Sequence, residues 1–476
     1  MQFAASRWAV MTRRAVVVSA LGLLGWVATG CRTYEQHSRA MRTAYAAGQF
    51  PTALQAAKSL GKPGSKDFLL SGLEQATILR ANGQIGESSL GFEQAADVLE
   101  KYADEAKTKV GREGAALLTN QANLPYRGRA YDAIMLHVYQ ALNHIQSGDL
   151  QAARVDLVRA YEKQKDAVYE SQKRIEKAKE EVAAQAEKEQ IAKSQQDPTF
   201  QASVTSQYAG MDALQVYADY VNPFAVYLDG LFFLSQATDA SDLDRARRSL
   251  ERAASFAPAN EAIRKDLEIA AAGVSGAALE PAVYVIFETG RAPCREQIRI
   301  DIPILIANVS YVGAAFPRLV FEDDYVPYLK VVSAGGTKTT QLVANLDSVV
   351  AHDFKNELPV IITKTVAATV IKAAAGYAVN RAAENAGGDA GMWAARLATA
   401  ALQATVNIAD LRTWTTLPKQ LQVCRLPLSP DRSLTLQTAN GTGNQQVTVM
   451  AGQIILVFAK STSSASPLFV SQMKLR

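Results

Sequence analysis

Four histidines occur in the chain, His37, His137, His144 and His352. A catalytic or metal-bound imidazole needs partners at a fixed spacing, and only His137 and His144 form a pair. Seven residues apart on a helix they share one face, but they sit roughly 10 Å apart along its axis. That is too far for one metal ion without bending. No HExxH, CxxC, GxSxG or phosphate-cradling glycine loop is present. Phe321-Glu322-Asp323-Asp324-Tyr325 groups carboxylates that could hold Ca²⁺, yet reads first as a solvated acidic loop. Glu288 and Asp301 fall on neighbouring strands by pattern, with nothing marking either as acid or base. Asp410 and Arg412, just before Trp414, are expected to pair and lock the chain's return into a strand. The chemistry-bearing residue types therefore predict no catalytic residue, no cofactor site and no metal site.

Cysteine carries the one covalent expectation. Ala15 to Ala28 is uncharged and apolar, and Arg7, Arg13 and Arg14 precede it. A basic start, a short apolar core and small residues before a cut site read as an export signal over residues 1–30. The run falls short of the roughly 20 residues needed to span a bilayer. Ala28-Thr29-Gly30-Cys31 resembles a bacterial lipobox, and Thr12-Arg13-Arg14-Ala15-Val16-Val17 resembles a twin-arginine export motif. The lipobox resemblance implies that Cys31 is thioether-linked to diacylglycerol and acylated on its new amine. By resemblance to Gram-negative lipoproteins, Arg32 rather than Asp at the next position implies the outer membrane over inner-membrane retention; a body facing the periplasm is expected, with the leaflet left open. An ordinary cleaved signal with a chance cysteine is the alternative. Cys294 and Cys424 remain after Cys31. An even pair in an oxidising compartment is a candidate disulfide, against two separately buried thiols.

Composition fits a folded exported protein of two to three domains. The formal charge of +4 includes the three arginines of the removable segment, leaving about +1. Nucleic acid is not an expected partner.

The elements that must position these residues fall into two halves. From 31 to about 273, Ala, Leu, Gln, Glu and Lys dominate and helix is predicted. Gly48, Gly83 and Gly148 are each followed five residues on by a small residue (Ala53, Ser88, Ala153) and twelve on by Leu60, Ala95 or Ala160. The pattern resembles degenerate tetratricopeptide repeats, which implies stacked helix pairs holding a peptide or protein segment. Leu124-Pro125-Tyr126-Arg127-Gly128-Arg129 reads as a connector, with an exposed interface as the alternative. A long charge-dense helix is expected over about 149–196.

The texture changes after Glu280-Pro281. Ile298, Ile300, Ile302, Ile304 and Ile306 alternate with Arg299, Asp301, Pro303 and Leu305, a half-buried strand. Val283 to Thr289 is expected to pair with it as a hairpin. Tyr328–Ser333 and Thr337–Ala344 are expected to meet around Gly335-Gly336. Further strands are predicted over 420–426, 433–437, 445–450, 453–459 and 468–474. The expected fold class is α+β: a TPR-like helical array, then an antiparallel sandwich-like β-domain over 280–476. Residues 360–409 read as an inserted Ala-rich helical hairpin. Its first arm carries a polar stripe of Thr365, Thr369, Lys372, Gly376 and Asn380. Three fates are open to this hairpin: covering a sheet, binding a second copy or partner, or entering a bilayer.

These motifs in this order, with Glu288-Thr289-Gly290-Arg291-Ala292-Pro293 and Asp410-Leu411-Arg412-Thr413-Trp414-Thr415-Thr416-Leu417-Pro418, resemble an uncharacterised family of proteobacterial surface lipoproteins. The resemblance implies an envelope role, with a link to peptidoglycan or outer-membrane assembly. The expected function is a non-catalytic scaffold that holds envelope proteins on its helical array. The alternatives are a peptidoglycan- or glycan-binding protein, a cryptic envelope enzyme, and an oligomeric secretion or surface-assembly accessory.

Overall fold

The computed structural model describes residues 33–108, 121–214, 217, 220–274, 278–306, 309–386, 408–441 and 443–476. Cys31, the expected export segment and most of the expected second hairpin arm lie outside these residues.

The chain is α+β, with helices mainly in the N-terminal half and strands in the C-terminal half. α1 (Tyr34–Ala46) and α2 (Phe50–Ala57), α3 (Phe68–Ala81) and α4 (Ile85–Thr108), and α5 (Ala130–Ser147) and α6 (Leu150–Ala183) follow as consecutive pairs. The turn between each pair is closed by a left-handed glycine: Gly48, Gly83 and Gly148, with φ of 72°, 77° and 81°. A side chain there would meet its own backbone. Ala53, Ser88 and Ala153 are fully buried, so their small size sets how closely the helices approach.

The charged helix expected to run to 196 stops at Ala183. The chain then turns back through α7 (Lys188–Gln196) and α8 (Pro198–Tyr208). The residues at the break are good helix formers, so tertiary packing overrides propensity. Ile191 is buried, and Ser194 Oγ donates to the Pro303 carbonyl at 2.6 Å. The Asp197 carboxylate caps α8 by accepting from Thr199 and Phe200 N–H. α9 (Pro223–Gln236), capped by Asn222, then α10 (Ala240–Phe256) and α11 (Glu261–Ala271) complete the helical half.

Among the described residues three sheets follow. The five-stranded sheet has the order β11-β10-β1-β7-β6, built from β1 (Ala282–Thr289), β6 (Gln341–Asn345), β7 (Gln420–Pro427), β10 (Ile454–Ser461) and β11 (Phe469–Lys474). β2 (Cys294–Ile306) and β3 (Val309–Val320) form a separate antiparallel ribbon. The four-stranded sheet β5-β4-β8-β9 contains β4 (Leu329–Ser333), β5 (Gly336–Thr339), β8 (Ser433–Thr438) and β9 (Asn444–Thr448).

The expected β1–β2 hairpin does not form. Every residue of β1 is buried, so the strand needs a neighbour on each side, and it takes β7 antiparallel and β10 parallel. That parallel pair also departs from an all-antiparallel arrangement. On one face of this sheet Val283, Val285 and Val457 pack with Val331 and Leu436 of the four-stranded sheet. On the other, Tyr284, Ile286 and Leu456 join the helices in the largest core, which takes in Leu73, Tyr139, Tyr227 and Trp414.

The first arm of the expected hairpin starts earlier than its composition suggests. α12 runs Leu346–Ala386 with Pro359 inside it. Pro359 cannot donate to the carbonyl four residues back. Of the polar stripe Thr369 and Gly376 are buried and Thr365 and Lys372 half-buried, and Thr369 Oγ1 donates to the Thr365 carbonyl at 2.7 Å.

A Cβ added at Gly148 would meet no other atom within 4 Å. Gly148→Ala should therefore cost only the left-handed backbone term, about 1 kcal/mol, read as a lowered midpoint in chemical unfolding with an unchanged denaturant slope.

Candidate functional site

The residues singled out by type disperse in the fold. His137 and His144 on α5 do converge, on one carboxylate: Asp156 of α6 lies 2.9 Å from His137 Nδ1 and 3.4 Å from His144 Nε2. Among the described residues no group of three or more His, Cys, Asp or Glu could hold a metal ion. Glu322 pairs with Arg291, Asp323 with Lys419, and Asp324 accepts from Ser464 N–H. Asp301 is exposed and pairs with Arg299, in a different sheet from Glu288. Cys294 opens the ribbon and Cys424 lies in β7. Both are free thiols, so the candidate disulfide is not formed. Burial pushes the Cys424 thiol up to about 12. The segment 124–129 is an irregular connector ahead of α5, as read, and its Tyr126 and Arg129 are buried rather than exposed as an interface would need.

What organises the interior is the segment after the expected hairpin, residues 408–418, which has no regular structure of its own. It lies as a strap across α1, α3, α4 and α5. Trp414 is fully buried, with its ring against Phe92 and Tyr139. Its Nε1 donates to Thr77 Oγ1 at 3.1 Å and Thr416 Oγ1 at 3.0 Å. The Glu74 carboxylate, fully buried on α3, accepts from Thr415 N–H at 2.8 Å, Thr415 Oγ1 at 2.7 Å and Thr416 N–H at 3.0 Å. Tyr45 donates its hydroxyl to the Thr416 carbonyl, and Arg129 donates to the Arg412 carbonyl.

Arg412 pairs with Asp410, as the sequence suggested, at 2.7 Å. It also reaches Asp67 at 3.2 Å and donates to the carbonyls of Leu124 and Gln121. An extended backbone crossing a core must find partners for its polar groups, and side chains of the helical half supply them. Burial raises the Glu74 carboxyl, and the hydrogen bonds from Thr416 and Thr415 oppose that rise.

Further buried charges pin the strand half, and one of them, Asp266, joins it to the helices. Lys460 on β10 donates to Glu288 on β1 at 2.6 Å, and its ammonium is held above the ordinary lysine value: burial lowers it, but Glu288 and Tyr45 overcome that. Asp266 on α11 accepts from Tyr284 at 2.6 Å and Tyr227 at 3.0 Å, and burial raises it to about 6. Asp347 at the start of α12 pairs with Lys419 and is likewise raised by burial to about 6.

A concave feature among the described residues is a cleft lined by Tyr131, Ile134, Tyr217, Tyr220, Val349, His352 and Asp353. Its interior admits about one water molecule, far less than a small-molecule site needs. Tyr220 there has φ of 57°, a strained value for a residue with a side chain. Burial, then the like charge of Glu357, pushes the Asp353 carboxyl up to about 7, against Arg174, Arg129 and Arg295. Glu357 goes the other way. Burial would raise it, but Arg295 at 2.7 Å and Arg129 at 3.2 Å hold it well below the usual carboxylate range. The cleft can store a proton and a water; it holds no nucleophile aligned on a base.

Sequence reasoning missed Glu74, Glu357 and Asp353. The only signal was a lone acid inside an apolar helical run, as in Leu69-Leu70-Ser71-Gly72-Leu73-Glu74, and that does not name the acid's partner. No protein family, curated protein or solved structure matches the chain.

Two outcomes follow from this geometry. Glu74→Ala leaves three donors of the strap buried and unpaired and should destabilise by about 3 kcal/mol or more, whereas Thr415→Val should cost roughly 1–2 kcal/mol. In thermal unfolding of either variant the helical and strand signals should fall together. For Asp353, a folded value raised from 3.8 to about 7 means the folded state binds the extra proton. Stability from this group is full below about pH 4 and lost as pH rises through 7. Asp353→Asn, which cannot ionise, should therefore gain on the wild type by roughly 1–3 kcal/mol between pH 5 and pH 8, measured by denaturant titration at each pH.

Proposed function

We propose that this protein is a lipid-anchored scaffold of the bacterial cell envelope that works by gripping other proteins rather than by catalysis. Cys31, acylated and facing the periplasm from the outer membrane, is the anchor in this reading. Several acyl chains, at about 0.8 kcal/mol per buried methylene, hold such a body permanently. The helix pairs are read as TPR-like repeats, and the two facing sheets as a sandwich that carries them.

The observation that carries the scaffold reading is the outer surface of α6. Val155, Tyr161, Val168 and Tyr169 are 48%, 42%, 48% and 69% exposed on one long helix. Between them stand Arg159, Lys165, Glu162 and Asp166. Large apolar and tyrosine side chains held in water among charges are the composition of a protein contact surface. The inner side of α1, α3, α4 and α5 carries the protein's own strap, which moves the site of grip from the array's interior to this outward face.

The test is cross-linking in living cells from a photoreactive residue at position 169. A discrete envelope protein should be captured, and Val168→Glu with Tyr161→Glu should cut the yield at least about tenfold. Cys31→Ser should release the protein from the membrane fraction without unfolding it. Unchanged capture by the charged variant overturns the gripping surface, and unchanged pelleting of Cys31→Ser overturns the anchor.

A further inference from the structure

α6 packs on α5, α9 and α12 through one buried row that includes Ala153, Leu157, Ala160, Ala167 and Ala178. Diametrically across the helix runs a second row, spaced alternately three and four residues: Arg159, Glu162, Asp166, Tyr169, Lys173 and Glu176, all exposed. That alternation is the spacing of a coiled-coil seam, a line of positions that stays facing a second helix over many turns. Seam positions are ordinarily apolar, and here five of the six are charged. Among the described residues Glu162, Asp166, Lys173 and Glu176 meet no ion-pair partner. Arg159 lies 3.9 Å from Asp156, a loose contact.

The order of the charges points to the occupant. When a second α6 lies antiparallel, with the two-fold axis between Ala167 and Val168, seam positions face each other in pairs. Arg159 then meets Glu176 of the second copy, Glu162 meets its Lys173, and Asp166 meets the hydroxyl of its Tyr169. Each pair occurs twice by symmetry. Beside the seam Lys163 meets Glu170, and Lys165 meets the neutral Gln172. A slide of one heptad sets Asp166 against Glu176, and the opposite slide sets it against Glu162. A parallel pair sets every charge against its own kind. One arrangement therefore satisfies the row, and every near alternative is repelled, which is how charge selects register and orientation. A lipid surface would ask for one sign of charge, and this row carries both.

We propose that α6 pairs antiparallel with α6 of a second copy of the chain along this row. The proposal rests on the gripping reading, in that it takes the outer face of α6 as the contact, and it names one body that this face takes. Tyr161 and Val168 lie about a third of a turn away by helical spacing, beside the seam rather than in it, so they stay open to a foreign protein. Exposed ion pairs are individually weak. The association is accordingly loose in free solution, and copies held on one membrane, where their local concentration is high, gain most from it.

Sedimentation equilibrium of the mature chain carrying Cys31→Ser tests this. At low ionic strength the mean mass should climb toward that of a dimer as concentration rises, and added salt should reverse the climb. Lys173→Glu alone, or Glu162→Lys alone, should weaken association at least about tenfold, since each sets like charges face to face twice. The double variant Glu162→Lys with Lys173→Glu should regain the parent's association, because the exchanged charges again meet as opposites. All three should keep the parent's thermal midpoint, both positions being exposed. Three results would overturn the proposal: a monomer at every concentration at low salt, association indifferent to the single reversals, or a double variant no better than either single one. A strict monomer whose position 169 still captures a different envelope protein removes the paired helix and leaves the gripping surface standing. A dimer rescued by the charge exchange, with no foreign protein captured, supports the pairing and removes that reading instead.

Discussion

The structure depends on the carboxylate of Glu74 and what it holds. A strap of backbone without helix or strand partners crosses the interior of the protein, and every N–H and C=O it carries there must be matched. Glu74 takes two of those N–H groups and a hydroxyl, and Tyr45 and Arg129 serve the carbonyls. The acid is costly to bury alone, and the strap is costly to bury alone. Together each removes the other's penalty, which ties the helical half to the β-rich half more tightly than apolar contact would. Apolar surfaces can slide, whereas a carboxylate with three directed donors fixes one register.

The same logic recurs elsewhere: Asp266 joins the two halves, and two further pairs act inside the β-rich half. Glu288 with Lys460, Asp266 with Tyr284 and Tyr227, and Asp347 with Lys419 each join elements distant in sequence. Replacing such pairs by apolar residues often leaves stability unchanged or better, so stability is a weak account of them. Uniqueness of docking is a stronger one in this molecule, because the helices could otherwise settle on an apolar sheet face in several ways. Asp266, Asp347 and Asp353 are raised by burial to about 6, 6 and 7. Each binds its extra proton in the folded state, so the contact is best satisfied in mildly acidic conditions and loses stability as pH rises through these values.

Much of the architecture was legible and the centre was not. The glycines at 48, 83 and 148 announced their turns because a left-handed residue leaves a local trace in sequence. The late strands were legible for the same reason: turn residues and alternation are short-range. β1 misled because a run buried on both faces carries no register, and adjacency to β2 suggested a hairpin that burial forbids. The break after Ala183 left no mark, since Ala184 and Gln185 would continue a helix and it is packing of the returning α7 on β2 and α12 that accompanies the stop. Asp410 with Arg412 could be foreseen, two residues apart; Glu74 with Thr415 could not, 341 residues apart. Pairings at that separation are set by the fold as a whole, and a single sequence records one partner without pointing to the other.

A groove filled by its own chain changes what a helical array can do. Had the inner surface of α1, α3, α4 and α5 been open, extended peptides would be its natural guests, and specificity would reside in pockets for their side chains. Trp414, with no exposed surface, already occupies this surface, and Glu74 pairs with the backbone that follows it. A foreign segment would have to displace an internal one whose local concentration far exceeds that of any free competitor. It would also have to draw the strap away from β7, a strand paired on both sides, which begins two residues after Pro418. Function through that groove is therefore strongly disfavoured by the protein's own covalent structure. In the proposed scaffold, recognition falls to the periphery, to the tyrosines and valines of α6. These are borne by a helix whose other side is packed into the core, so whatever they meet is met by a rigid surface, and little ordering entropy is lost on contact.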